Sequence, residues 1–412
     1  MPPPPPPRPA TPPLSALPTA FPSATCLRRG LCPVTALRAQ GPDALESHSL
    51  YYEVHGPREV VDSLRGSQGD GEDGVGGDGD DVRTRDAMQK LDKVVFIMGL
   101  NSSSFSWGPQ VRWFGGARGG SASAEGERKA AALVFDNRGV GNSGYPRGPY
   151  TTSGMAEDVI CLLDYLGWTG DRELNVVGIS LGGMIAQELA YRIPHRIASL
   201  VLAVTTPGGH IWNNFPPLKG LTSLTKLIFT PDPVDKVPTV LDMLFPAQWL
   251  DERALSDPHA EWNGNTEDNK QGKTNRDVQK EGFLRRVAIT KPQLLLGHIS
   301  QMAAGLTHRV SPARLAHIAA NVPKIAVVTG DEDHLVRPAG SVRIWEAMTG
   351  GRAHAQGDGG GGGEGKSRVE LLRWAGTGHG IHAQKEVEFN ELVERCVREG
   401  RALVEAGFKP RS

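Results

Sequence analysis

Apolar residues in this chain fall into short runs, set apart by stretches with helical spacing. "SLYYEVHG" (Ser49–Gly56), "KVVFIMGL" (Lys93–Leu100) and "AALVFDNRG" (Ala131–Gly139) read as strands, the second a continuous apolar run after its lysine. "MAEDVICLLDYLGW" (Met155–Trp168) carries apolar side chains at helical spacing. It is followed by the strand "LNVV", a helix beginning near Leu181, and the strand "IASLVLAV" (Ile197–Val204). After a long irregular segment the rhythm resumes. "KIAVVTG" (Lys324–Gly330), a helix around Ser341–Met348, "VELLRWAG" (Val369–Gly376) and a last helix from about Lys385 complete the pattern. Apolar strands separated by helices predict an α/β fold, with a mostly parallel central sheet covered by helices on both faces.

Three kinds of segment interrupt this pattern. Residues 1–45 are proline-rich, with no acidic residue before Asp43, and read either as a disordered tail or as an organelle transit peptide. The expected location is accordingly mitochondrial or cytoplasmic. "GSQGDGEDGVGGDGDD" (Gly66–Asp81) and "GRAHAQGDGGGGGEGK" (Gly351–Lys366) read as flexible surface loops, since neither has the ligand spacing of a calcium loop. Residues 209–309, rich in Pro, Trp and helix-like pieces, suit a helical lid inserted into the core. The core is then expected over 46–208 and 310–408.

Charge and cysteines narrow the function. A net charge of -1 gives no electrostatic case for nucleic acid or an acidic membrane. No run of 18 apolar residues suggests a transmembrane segment. Cys26, Cys32, Cys161 and Cys396 are scattered without metal-ligand spacing, so neither a disulfide scaffold nor a metal is expected. Cys161, on a helix without a local partner, reads as inert.

The chemistry concentrates at "GISLG" (Gly178–Gly182). With 51 glycines in the chain, the bare Gly-x-Ser-x-Gly match is weak, and a serine that merely caps a helix is the alternative. Its context strengthens it, because a strand ends at Val176–Val177 and a helix face begins at Leu181. A nucleophile on so tight a turn needs small neighbours, and the helix start directs N–H groups toward a developing oxyanion. A serine hydroxyl also needs a base and an orienting acid, which should follow in the order acid, then His. "VVTGDEDHLVRP" (Val327–Pro338) offers Asp331, Glu332, Asp333 and His334; "WAGTGHGIHAQ" (Trp374–Gln384) offers His379 and His382.

From Leu50 to Leu392 the chain resembles the α/β-hydrolase superfamily, most closely its lidded esterase-like members. The resemblance rests on "LYYEVHG", "FDNRGVGNSG", "GISLGG", "GDEDHLVRP" and "GTGHG", all in family order. It implies Ser180 as nucleophile, Asp333 as acid (with Asp331 as fallback) and His379 as base. His382 is then a surface or helix-start residue, His334 points away, and His308 is a structural residue of the lid. The oxyanion donors implied are the backbone N–H groups of Leu181 and Leu100. Where many relatives have His-Gly this chain has Met98-Gly99, which leaves the backbone donors in place but puts the loop's shape in question. Asn101 and the serines after it read as a polar turn, and Asp136 and Arg138 as architecture beside the site.

The implied activity is hydrolysis of a small or lipid-like carboxylic ester through an acyl-enzyme, with no cofactor. The same triad serves aminopeptidases, for which Glu252, Glu261, Glu267 or Asp268 of the lid are carboxylate candidates. It also serves C–C bond hydrolases, acyl transferases and cofactor-free peroxidases. Ser at position 180 argues against enzymes with an aspartate nucleophile. A non-catalytic ligand-binding protein on the same scaffold is the alternative from a different class.

Overall fold

The computed structural model describes residues 16–38, 48–65, 82–115, 129–230, 232–254, 272–351 and 367–410. Among these, eight strands form one sheet in the order β1-β2-β4-β3-β5-β6-β7-β8. The strands are β1 (Cys26–Cys32), β2 (Leu50–His55), β3 (Asp92–Ile97), β4 (Ala130–Phe135), β5 (Leu174–Ile179), β6 (Ile197–Ala203), β7 (Lys324–Gly330) and β8 (Val369–Trp374). β1 and β2 pair antiparallel, β2 joins β4 antiparallel, and every pair from β4 to β8 is parallel.

Burial explains which strands were easiest to read. β5, β6 and β7 are buried along their whole length, so both faces demand mainly apolar residues, and the buried Ser199 and Asn175 satisfy each other, Ser199 Oγ donating to Asn175 Oδ1 at 2.7 Å. β8 closes one edge and is only partly covered, which suits its mixed "VELLRW". The helices α1 (Thr152–Tyr165) and α2 (Leu181–Arg192) cover one face. Met155, Val159, Leu162, Ile185 and Leu189 share a core cluster there with Val95, Ile97, Val176 and Leu200. On the other face, α9 (Glu386–Glu405) packs Phe389, Leu392, Val393 and Val397 with Phe96, Val177, Val201 and Val328.

Between β6 and β7 lies a helical insertion: α3 (Leu218–Ile228), α4 (Pro233–Leu244), α5 (Asn275–Ile289) and α6 (Leu295–Leu306). Its two ends meet in an antiparallel bridge between Gly208 and Arg309. A small core of Val237, Leu241, Phe245 and Leu250 holds the insertion together, and α5 begins with a Thr274–Asp277 capping box. The chain then returns through α7 (Pro312–Asn321) to β7, and α8 (Pro338–Thr349) leads to β8.

Within residues 1–45, the reading as a disordered tail needs a correction for the described stretch 16–38. Cys26–Cys32 is the edge strand β1, and Leu17 and Phe21 are buried. Its "CLRRGLC" offers no apolar run, so its strand character comes from the open edge of β2. The two glycine-rich segments lie outside the described residues, apart from Gly351. Among the described residues, no helix is long and apolar enough to cross a membrane.

Candidate active site

The sheet register sets the site. β3 ends at Ile97, which pairs with Gly178 of β5, so the residues after β3 emerge beside the turn that carries Ser180. Ser180 adopts φ 57°, ψ -121°, a left-handed conformation that a side chain rarely takes without external support. The support is visible. The Ser180 N–H donates to the Ala203 carbonyl at 3.0 Å, and the Ser180 carbonyl accepts from Thr205 Oγ1 at 2.8 Å. A Cβ at Gly182 would lie 2.0 Å from the Ile97 carbonyl oxygen, and one at Gly178 would lie 2.5 Å from the Gly182 carbonyl oxygen. Both positions therefore admit only glycine if the turn is to close on the sheet.

Ser180 precedes the first residue of α2, so the N–H of Leu181 has no intrahelical acceptor and sits at the positive end of the helix dipole. Facing it is the loop after β3. A Cβ at Gly99 would fall 3.1 Å from Ser180 Cβ, so this backbone runs against the serine. Met98 is buried in the core, and its carbonyl accepts from Asn137 Nδ2 at 2.9 Å. Asn101 forms the turn expected of it, at φ 57°, and does more besides. Its N–H donates to Gln301 Oε1 at 2.9 Å, and its side-chain amide lies 2.5 Å from His298 Nδ1. Gln301 Nε2 donates to the Arg138 carbonyl at 2.8 Å. Thus α6 of the insertion grips the loop that carries Leu100.

The acid and the imidazole meet directly. His379 Nδ1 lies 2.8 Å from Asp333 Oδ2, and Asp333 Oδ1 accepts the N–H groups of Leu335 at 2.8 Å and Val336 at 2.9 Å. Both carboxylate oxygens are occupied and the side chain is fully buried. An ionised Asp333 fixes the proton on Nδ1 and leaves Nε2 as the basic nitrogen. The His379 loop is braced at Gly378, whose N–H donates to Gln384 Oε1, and at Gly380, whose N–H donates to the Leu244 carbonyl of the insertion. Ser180 follows β5, Asp333 follows β7 and His379 follows β8, so all three leave the carboxyl edge of one parallel run of strands, with β6 between β5 and β7.

The other residues singled out from the sequence have different places. Asp331 is exposed and accepts the Thr377 N–H at 3.3 Å, which makes it a brace of the His379 loop. His382 does begin a short helix, but its ring packs inward: it meets Trp107 edge-on at 5.0 Å, and burial pushes its pKa down to about 3. Of the surface or helix-start place expected, the helix start holds, while the residue is half-buried with its ring turned inward. His308 is buried against Thr152 Oγ1 at 2.9 Å, and burial lowers it to about 4. Asp136 accepts from the N–H groups of Ser104 and Asn142, both at 2.7 Å, and Arg138 forms a fork with Asp158 at 2.5 and 2.6 Å. Cys161 is partly exposed, near Cys32, and Glu252 is exposed. Glu261, Glu267 and Asp268 lie outside the described residues. No group of three His, Cys, Asp or Glu among the described residues could hold a metal.

Sequence reasoning passed over Gln301, Asn137 and His298. One signal was present: in "LLGHISQMAAGL", His298, Gln301 and Gly305 are spaced three and four apart and so share a helix face. That face meets Asn101 and the side chain of Leu181.

A family model described as the alpha/beta hydrolase fold matches residues 94–360, and the chain belongs to that family. A poly(3-hydroxyalkanoate) depolymerase from Ectopseudomonas oleovorans is 43% identical over 76 residues, covering 18% of this chain and 26% of that protein. The 3-oxoadipate enol-lactonase 2 of Acinetobacter baylyi is 27% identical over 161 residues, 37% of this chain and 55% of that protein. The chain thus spans between about a quarter and just over half the length of these curated relatives. An esterase from Thermogutta terrifontis superposes with a TM-score of 0.51 at 14% identity, over 90% of this chain and 99% of its own. A bacterial membrane phospholipase A gives 0.54 at 15% identity, over 92% and 87%. These two likenesses concern the fold.

Proposed function

We propose that this chain hydrolyses carboxylic esters through an acyl-enzyme on Ser180, with His379 as base and Asp333 as its orienting acid. The observation that carries the reading is the left-handed Ser180 at the head of α2, on the sheet edge where Asp333 holds His379. His379 Nε2 takes the Ser180 proton as Oγ attacks the ester carbonyl. The Leu181 and Leu100 N–H groups receive the oxyanion, and the alcohol departs with the proton from His379. Water then gives its proton to His379, attacks the acyl carbonyl and releases the acid, restoring Ser180.

Two observations support an ester with apolar parts. The insertion exposes Trp212, Phe215, Leu218, Phe229, Leu295, Leu296 and Ile299, a surface suited to a lid that receives apolar substrate. The depolymerase and the lactonase among the relatives are named for ester bonds, one in a polyester and one in a lactone.

The test is covalent labelling with a fluorophosphonate probe, comparing the full chain with Ser180→Ala. Labelling of the parent and none of the variant is expected. Labelling that persists in Ser180→Ala removes the nucleophile assignment, and an unlabelled parent favours a ligand-binding protein on this scaffold.

A further inference from the structure

The peptide that carries the Leu100 N–H has little of its own to hold it. Gly99 precedes it, and a Cβ there would fall 3.1 Å from Ser180 Cβ and 3.3 Å from the Ile179 carbonyl oxygen, so the close approach favours glycine. Glycine also brings backbone freedom, and rotation of the Gly99–Leu100 peptide would turn its N–H away from Ser180. Met98 supplies no polar side chain against this, because it is buried in the core. The hold has to come from neighbouring segments.

It comes from both sides. The peptide before, Met98–Gly99, is anchored through its carbonyl, which accepts from Asn137 Nδ2 at 2.9 Å. The peptide after, Leu100–Asn101, is anchored through its N–H, which donates to Gln301 Oε1 at 2.9 Å. The two anchors are tied to each other, since Gln301 Nε2 donates at 2.8 Å to the carbonyl of Arg138, the residue after Asn137. Met98, Asn137, Arg138, Gln301 and Asn101 thus close a ring around the Leu100 amide. Asn137 and Gln301 are both buried. Gln301 meets one backbone donor and one backbone acceptor, a pair that a side-chain amide satisfies and a carboxylate does not.

The angle from which Gln301 reaches Asn101 is also fixed. Gln293, just before α6, donates to the Gly139 carbonyl at 2.8 Å, and a Cβ at Gly297 would lie 2.8 Å from that same oxygen. A Cβ at Gly148 would lie 1.9 Å from Ser300 Oγ, and one at Gly305 would touch Leu181 Cδ1 at 3.8 Å. One face of α6 is therefore seated on the segment after β4 and on the head of α2, and the helix cannot roll without losing these contacts.

We infer that Asn137 and Gln301 are positioning residues, a two-sided clamp that holds the Leu100 N–H toward the oxyanion formed at Ser180. This rests on the reading of Ser180 as nucleophile. It makes α6 part of the catalytic frame and not only a cover over it.

The test compares the full chain with Asn137→Ala, Gln301→Leu, Gln301→Glu and the Asn137→Ala/Gln301→Leu double variant, on p-nitrophenyl butyrate. A parent that neither turns over this ester nor takes a fluorophosphonate label removes the reading of Ser180, and the clamp with it. With an active parent, Asn137→Ala and Gln301→Leu should each lower kcat by about tenfold to a hundredfold and leave KM within about twofold. Inhibition by an aliphatic trifluoromethyl ketone, whose adduct carries the oxyanion, should weaken by a similar factor. Gln301→Glu, which keeps an acceptor for the Asn101 N–H, should lie between Gln301→Leu and the parent. Because both residues hold one peptide, the double variant should lose less than the product of the single losses. Single variants whose kcat and ketone inhibition stay within about twofold of the parent, or which lose in KM alone, overturn the clamp and leave Ser180 standing. So does a double variant whose loss equals the product. If circular dichroism shows Gln301→Leu unfolded, Asn137→Ala and Gln301→Glu decide by the same kcat and ketone readouts.

Discussion

On the sheet side of the site Asp333 has both oxygens occupied, His379 has its Nδ1 fixed, and the Ser180 backbone is held from Ala203 and Thr205. On the insertion side neither the buried hydroxyl of Thr290 nor Nε2 of His298 has a hydrogen-bond partner among the described residues. Asp333 and His379 are buried, whereas Thr290 and His298 are only half-buried. A group that must act in every turnover gains from being fixed before substrate arrives, because reorganisation is then absent from the barrier. A group that discriminates between substrates gains from being left for the ligand to satisfy, since the wrong ligand then leaves it unpaired. If the proposed triad is correct, the sheet supplies its fixed side and the insertion the less constrained side facing it. Gln301 joins them, with one end on the Asn101 N–H and the other on the Arg138 carbonyl.

The comparison breaks most sharply at its fixed side. Ser180→Ala should lower ester turnover by about a millionfold. Asp333→Asn should lower kcat by about 10⁴-fold, because the amide allows the imidazole to take the wrong tautomer. Asp331→Asn, at an exposed brace, should stay within a fewfold of the parent. If Asp331→Asn proves the more damaging of the two, the pairing of Asp333 with His379 is not the catalytic one.

Gln301 probes the joint between the two sides. Removing an oxyanion donor outright costs about 10²–10³ in rate, so misplacing the Leu100 N–H should cost less, about tenfold to a hundredfold. Gln301→Leu should show that loss in kcat with KM nearly unchanged. Gln301→Glu, which keeps an acceptor for the Asn101 N–H, should recover part of it. A loss in KM alone would make Gln301 a wall of the pocket and not a positioning residue.

The same contrast explains what was legible in the sequence. β5 to β7 were readable because strands buried on both faces are mainly apolar. Ser180 and its partners were readable because a strained turn against the sheet demands glycine at 178 and 182, and because chain order fixes which loop follows which strand. β1 was not, since "CLRRGLC" owes its pairing to the exposed edge of β2. Arg286 was hidden for a different reason. "FLRRVAI" holds two adjacent arginines, of which Arg285 is exposed and Arg286 half-buried. Only the rotation of α5 against the core distinguishes them, and tertiary packing sets that rotation. Gln301 was recognisable as one face of a helix, but not as a contact, because its partner Asn101 lies 200 residues earlier.

The smallest effect expected is on stability in acid. His382 carries a folded-state pKa of about 3, pushed down by burial first and by the nearby Arg286 charge second. Its unfolded value is about 6.5, so the unfolded chain binds the proton and the folded chain does not. The contribution of neutral His382 to stability is therefore complete above pH about 6.5 and falls away as the pH drops toward its folded value. His382→Phe keeps a ring against Trp107 but cannot titrate, so its urea midpoint should vary less between pH about 6.5 and 4 than that of the parent. His308, lowered to about 4 by burial, still contributes to the slope in both proteins. Arg286→Met should flatten the same limb by a smaller amount, because it raises the folded pKa of His382 toward the unfolded one. Superimposable urea-midpoint curves for the parent and Arg286→Met would mean that the guanidinium does not face His382, and would move Arg286 away from the His379 loop.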